Sequence, residues 1–255
     1  MKTVLITGAT SGIGRATAKL FSENDFRIIV CGRRQDRLTD LKREIVKKTE
    51  VLELCFDIRD KVAVQDALLG LPAGWDQIDV LINNAGNAHG LAPVHKGNTD
   101  DWDAMMDINV KGLLYVSKAV IPGMVARKSG HIINIGSIAG KEVYALGNVY
   151  CASKYAVDAI TQGMRIDLNE HNIRVGVVNP GLVNTDFSLV RFKGDRERAD
   201  NVYEGMHPLT AEDIAEVLLF VVTRPPHVNI ADLLVLPSAQ ASAGRIYRSS
   251  ITDRS

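Results

Sequence analysis

Several features are scarce in this 255-residue sequence, and each scarcity excludes a class of protein. There are three cysteines, Cys31, Cys55 and Cys151, with no CxxC or zinc-ligand spacing, so neither a disulfide framework nor a metal site is expected. Such cysteine usage fits a reducing cytoplasm. Charge of either sign is not in excess: 30 Lys and Arg offset 30 Asp and Glu. That balance gives no electrostatic reason to expect nucleic acid or a membrane surface as the main partner. No apolar run approaches the length that spans a bilayer. The apolar start Val4-Leu5-Ile6 is interrupted at Gly8, too soon for a signal-peptide core. No Gly/Ser/Pro-rich linker, charge block or internal repeat divides the chain, so residues 1–255 read as a single domain.

What is present is alternation. Hydrophobic residues make up 46% of the chain and charged ones 24%, the balance of a globular protein with a sizeable core. Seven short apolar runs read as strands: Thr3–Ile6, Arg27–Cys31, Val51–Phe56, Val80–Asn83, His131–Gly136, Val175–Asn179 and Leu233–Leu236. Amphipathic stretches separate them at Gly14–Ser22, Asp36–Lys47, Lys61–Leu69, Trp102–Val125, Tyr150–Asn169 and Ala211–Val222. Strands apolar on both faces suit a parallel sheet covered on each side. The expected fold is α/β, a Rossmann-type doubly wound parallel sheet of seven strands with helices on both faces. The least regular stretch, Asn184–Pro208, reads as a substrate lid region spanning 184–209, with a solvated surface excursion as the alternative. The polar residues Ser249–Ser255 are expected to be disordered.

The first strand runs into Thr7-Gly8-Ala9-Thr10-Ser11-Gly12-Ile13-Gly14, and the first helix follows. Glycines there permit a tight turn and let the backbone approach a pyrophosphate at the helix N-terminus. The spacing is GxxxGxG, and its position after the first strand of an α/β pattern is what gives it meaning. The second strand ends in Gly32-Arg33-Arg34, where an NAD-preferring protein carries a carboxylate for the ribose 2′-hydroxyl. Two guanidinium groups at that point favour a 2′-phosphate, hence NADP(H). The alternative is that Arg33 and Arg34 merely open a solvated helix.

With these features the chain resembles the short-chain dehydrogenase/reductase family over essentially its whole length. The motifs stand in family order: TGATSGIG at Thr7–Gly14, Asp57-Ile58, NNAG at Asn83–Gly86, Asn109, Ser137, YCASK at Tyr150–Lys154 and NPGLVNT at Asn179–Thr185. The resemblance implies cofactor contacts from Gly8, Thr10, Ser11, Gly12, Ile13 and Gly14, with Asp57 and Ile58 at the adenine. It implies further contacts from Asn84, Ala85 and Gly86, from Tyr150 and Lys154, and from Pro180, Gly181, Val183 and Thr185 around the nicotinamide. From the residues alone, Asp57 could instead cap the following helix and the two asparagines could satisfy turn backbone.

Tyr150 and Lys154 are four residues apart on an expected helix and so share a face. A free phenol titrates near 10, and a neighbouring ammonium favours the phenolate, which is expected to lower that value towards the range of proton transfer. Hydride transfer with Tyr150 as acid or base is the chemistry this pair suggests. By resemblance, Ser137 binds the reacting oxygen and Asn109 holds a water in a relay from Lys154. No His and acid follow in a triad arrangement, so Ser137 is not read as a nucleophile.

Three stretches resemble the branch of that family acting on short 3-hydroxy acids such as serine, allo-threonine and 3-hydroxypropionate: Gly147–Tyr150, Phe187–Asp195 and Pro226–Ile230. A small acid needs a cation, and Arg191 is the first candidate for its carboxylate, with Tyr144 lining the same pocket. Lys193, Arg196 and His89 read as surface groups, and the orientation of Lys141-Glu142 is left open. Another small anion, such as a sulfonated aldehyde, is an alternative substrate. So are a 3-oxoacyl-carrier-protein reductase and, outside enzymes, an NADP-sensing scaffold on the same fold. The resemblance also implies a homotetramer.

Overall fold

The aliphatic runs form seven strands, β1 (Lys2–Thr7), β2 (Phe26–Gly32), β3 (Val51–Cys55), β4 (Val80–Asn83), β5 (Gly130–Ile135), β6 (Ile173–Pro180) and β7 (Asp232–Val235). They pair in the order β3-β2-β1-β4-β5-β6-β7, every pair parallel. The structure, a computed structural model, describes residues 1–249, and the expectation for the polar tail falls on 250–255, outside the described residues. Ser249 itself is described, and its backbone N–H donates to the Gly205 carbonyl at 2.9 Å.

Strand side chains alternate between two apolar layers, as the pleat requires. Val4, Ile6, Ile28 and Val30 pack beneath α1 (Gly12–Ser22), α2 (Gln35–Ile45) and α9 (Ala211–Val222). Leu5, Ile29, Leu81 and Ile132 pack against α3 (Lys61–Leu69), α5 (Leu113–Arg127) and α6 (Asn148–Leu168). Both faces are therefore dry, and both sets of strand residues had to be apolar. The chain winds outward from β1 to β3 and then returns to β4 on the other side of β1. That reversal opens a crevice beyond the carboxyl ends of β1 and β4, the usual ligand position in such sheets.

One stretch is built differently from expectation. The expected helix Trp102–Val125 is α4 (Thr99–Met106), then a π-helical stretch Asp107–Gly112, then α5. A π turn holds one residue more than an α turn, and here it carries the buried Asn109 towards the sheet end. Asn98 opens α4 by accepting the backbone N–H groups of Asp100 and Asp101. The lid region contains two short helices, α7 (Asp186–Arg191) and α8 (Arg196–Asn201). Thr185 caps α7 and Asp195 caps α8, and between the helices Lys193 and Gly194 take φ values of 54° and 94°.

Near the amino end of β5, His131 is 1% exposed, and neither ring nitrogen has a hydrogen-bond partner among the described residues. Burial, with Arg174 and Lys2 nearby, pushes its pKa from 6.5 to about 3. The unfolded chain therefore takes up this proton first, and the stability lost grows as pH falls from 6.5 towards about 3. Wild type should lose stability faster than His131→Val across this window, by about 1.4 kcal/mol per pH unit. Urea unfolding at stepped pH measures this, and parallel curves for the two proteins would contradict it.

Candidate active site

Thr7 closes β1 by accepting, at its side-chain oxygen, the backbone N–H groups of Asn84 and Ala85, both at 2.9 Å. Asn84 returns its Nδ2 to the Thr7 carbonyl at 2.8 Å. The two turns that flank the crevice are thereby clamped together, and their glycines let them fit. Gly8 has φ of +67°, and a Cβ there would lie 2.8 Å from Ala85 Cα. A Cβ on Gly14 would lie 2.6 Å from the Gly8 carbonyl oxygen, so this glycine packs behind the turn and does not line the crevice.

The crevice is a cavity of about 370 Å³. From the expected cofactor set it takes Gly8, Thr10, Ser11, Gly12, Ile13, Arg33, Arg34, Asp57, Ile58, Asn84, Ala85, Gly86, Tyr150, Lys154, Pro180, Gly181, Val183 and Thr185. At its outer end Arg34 donates to Thr10 Oγ1 at 2.7 Å and to Ser11 Oγ at 3.2 Å, which folds the guanidinium back over the glycine turn. Arg33 is more exposed and sits 3.6 Å from Asp57. Asp57 does not cap α3; Asp60 does, and Asp57 is gripped by the Arg59 guanidinium and backbone N–H. Ser11 precedes α1 without capping it, which leaves the first helical N–H groups facing the turn. A glycine cradle, free helix N–H groups and a guanidinium over Thr10 and Ser11 fit a dinucleotide carrying a 2′-phosphate.

At the inner end lie Ser137, Tyr144, Tyr150, Lys154 and Arg191. Tyr150 and Lys154 lie one turn apart on α6, 8% and 7% exposed. Lys154 donates from Nζ to the Ile135 carbonyl at 2.9 Å, and burial lowers its pKa to about 8. Burial pushes Tyr150 up to about 12, and the Arg191 guanidinium and Ser137 hydroxyl pull it down without reversing the shift. The protein alone therefore does not produce the lowered phenol expected from the Tyr-Lys spacing. The lysine ammonium is engaged with a carbonyl and is itself poorly solvated, so desolvation of the phenol wins.

Asn109 lies outside the cavity lining, and its amide is fully engaged. Its Oδ1 accepts the Asn87 N–H at 2.9 Å, and its Nδ2 donates to the Asn87 carbonyl at 2.9 Å and to Ser153 Oγ at 3.0 Å. The side chain thus ties the loop after β4 to α6. Arg191 donates to the Tyr144 hydroxyl at 2.5 Å, and its guanidinium carbon lies 4.9 Å from the Tyr150 ring centre and 5.4 Å from that of Phe187. Its Nε is buried without a partner among the described residues. Lys193 is drawn away to Asp101 at 3.0 Å, and Arg196 and His89 do not line the cavity. Among the described residues no group of His, Cys, Asp or Glu could hold a metal ion.

The structure adds residues that no motif announced. The Phe187 ring packs tilted against that of Tyr150, centroids 5.6 Å apart, and the Tyr203 hydroxyl bonds Ser188 and the Val183 carbonyl, both at 2.8 Å. The buried Gln240 accepts the Leu182 N–H at 2.9 Å, fixing the Pro180–Leu182 turn from the far end of the chain.

A profile of the short chain dehydrogenase family matches residues 2–195. The chain belongs to the short-chain dehydrogenase family. Among its relatives is the NADP-dependent 3-hydroxy acid dehydrogenase YdfG of Salmonella typhi, 49% identical over 94% of this chain and 97% of that protein. The NADP-dependent 3-hydroxy acid dehydrogenase of Schizosaccharomyces pombe is 44% identical over 97% of this chain and 96% of that protein. Among solved structures, the closed form of serine dehydrogenase complexed with NADP+ superposes with a TM-score of 0.91. It is 45% identical and covers 97% of this chain and 100% of that one. This short-chain dehydrogenase thus keeps the family's parallel sheet at full length, with Arg34 placed over the turn.

Arg34→Ala should weaken NADPH binding about 10- to 100-fold, the worth of a charge-assisted bond, while leaving NADH little changed. Fluorescence titration with both cofactors measures this, and equal losses would show that Arg34 does not read the 2′-phosphate.

Proposed function

We propose that this short-chain dehydrogenase is an NADP(H)-dependent enzyme that interconverts a small 3-hydroxy acid and its carbonyl form, with Tyr150 as the acid/base. The observation that carries the substrate class is Arg191: a half-buried guanidinium, held by the Tyr144 hydroxyl, within 4.9 Å of the Tyr150 ring centre. A fixed planar cation that close to the Tyr150 ring suits an anion only a carbon or two from the carbon being reduced. The names of the YdfG and serine dehydrogenase relatives agree with that reading.

NADP(H), when bound, supplies or accepts the hydride. The chain's own residues do the rest. Ser137 Oγ donates to the substrate oxygen and holds it beside the Tyr150 hydroxyl, which gives its proton in reduction and takes it in oxidation. Lys154 holds the ribose and is the next proton carrier behind Tyr150, its burial having brought its pKa to about 8. Because the Asn109 side chain is spoken for, any relay water in this region would rest on the main chain of the π turn. Arg191, Tyr144 and Phe187 crowd the inner end, which counts against the long pantetheine arm of a carrier-protein substrate.

The same proposal places the enzyme in the cytoplasm as a homotetramer. The free cysteines support the compartment, and Tyr155 and Ile166, 42% and 74% exposed on α6, are apolar surface for a neighbouring copy.

Arg191→Ala should raise the KM for 3-hydroxy acids and their semialdehydes about 10- to 100-fold and leave uncharged aldehydes nearly unaffected. Steady-state kinetics on both substrate types tests this. Equal effects would remove the carboxylate anchor, and a sulfonated aldehyde outperforming every carboxylate would reassign the anion.

A further inference from the structure

Ser137 sits at the start of a single 3₁₀ turn, Ile138–Gly140, which β5 delivers into the cavity. Such a turn has little stiffness of its own. Three side chains, none of them part of the proposed chemistry, brace it: Asn179 and Asp232 from distant strands, and Lys141 from the end of the turn itself. Asn179, at the end of β6, accepts the Ser137 backbone N–H at its Oδ1, 3.1 Å away and fully buried. The approach is so close that a Cβ on Gly136 would lie 1.9 Å from that oxygen. The amide's other end donates from Nδ2 to Asp232 Oδ1 at 2.7 Å, on the first residue of β7. The second oxygen of Asp232 takes Lys141 Nζ at 2.5 Å. Lys141 closes the back of the same turn, its N–H donating to the Ile138 carbonyl at 2.9 Å.

These contacts form a closed ring: Ser137, Asn179, Asp232, Lys141 and back along the turn to Ser137. The ring is also fastened to the helix that carries the acid/base. Lys141 Nζ donates to Asp158 at 2.6 Å, and Tyr155 OH donates to the Lys141 carbonyl at 2.6 Å. Tyr155 follows Lys154 directly, and Asp158 stands one turn beyond Lys154 on α6. The ammonium of Lys141 therefore joins three separately folded pieces: the Ser137 turn, α6 and β7.

We propose that Lys141, Asp232 and Asn179 are positioning residues that fix the Ser137 hydroxyl relative to Tyr150 and Lys154. The inference rests on Ser137 holding the reacting oxygen. None of the three residues touches the reacting atoms; they act through where the turn is held. Lys141 is one quarter exposed and Asp232 about half, so the ion pair adds little to overall stability in water, and its role is geometric. A misplacement of about 1 Å at a reacting group costs on the order of a hundredfold in rate. The ring keeps Ser137 from reaching that error.

The test uses the whole chain and five variants: Lys141→Met, Lys141→Arg, Asp232→Asn, the Lys141→Met/Asp232→Asn double mutant and Ser137→Ala. Lys141→Met should lower kcat about 10- to 100-fold while the Kd for NADPH stays within about twofold and the melting temperature changes little. Hydride transfer should become more rate-limiting, so the isotope effect on kcat with NADPH deuterated at the transferred position should rise. Lys141→Arg, which can still reach both carboxylates, should recover part of kcat. The double mutant should be no worse than the poorer single, because either change opens the same ring. Wild-type kcat and isotope effect in Lys141→Met, with Ser137→Ala inactive, would overturn the ring alone. Parallel loss of kcat, NADPH binding and melting temperature would also overturn it, by showing a merely structural role. An active Ser137→Ala would overturn the chemistry on which the ring depends.

Discussion

Most of the site's arrangement follows from one constraint, the removal from water of two groups that titrate. Tyr150 and Lys154 stand on one face of α6, pressed against the carboxyl end of β5, and almost no solvent reaches either. Desolvation disfavours the charged form of each, raising the phenol and lowering the ammonium. Their charges then depend on the few polar groups the fold places beside them. The Ile135 carbonyl steadies the lysine, the Ser137 hydroxyl and the Arg191 guanidinium bear on the tyrosine, and Asn109 anchors Ser153 on the same helix.

The sheet supplies those groups because its winding reverses between β1 and β4. That reversal brings the ends of β1, β4, β5 and β6 to one side of the molecule, and each ends in a turn that carries part of the site. The clamp of Thr7 on Asn84 and Ala85 joins the first two. The Asn179 amide joins the last two, and through Asp232 it reaches β7. Residues far apart in the chain are held in mutual register by side-chain amides and carboxylates, whose bonds are directional where apolar packing is not.

Much of this could be read from residue order. The seven apolar runs lie where the strands form, because strands buried on both faces must be apolar throughout. The glycine turn and the Tyr-Lys pair are local patterns, each defined by residues a few positions apart. What was not legible depends on distance. The π turn at Asp107–Gly112 leaves no mark in an apolar periodicity that continues through it. Gln240, Lys141 and Tyr203 answer to Leu182, Asp232 and Val183, which lie 58, 91 and 20 residues away, and no spacing rule predicts such pairs. The direction of the Tyr150 shift is hidden from the sequence for a related reason: sequence shows that a lysine is near but not that its ammonium is already bonded to a carbonyl, nor how completely the phenol is covered.

Burial therefore keeps Tyr150 protonated in the protein by itself. Ultraviolet titration of the phenolate, taken as wild type minus Tyr150→Phe, measures this directly. Cofactor-free protein should show no phenolate from Tyr150 until the pH approaches about 12, and its apparent pKa should fall once NADP+, with its positively charged nicotinamide, is added. A Tyr150 phenolate appearing near neutral pH in the cofactor-free protein would contradict it.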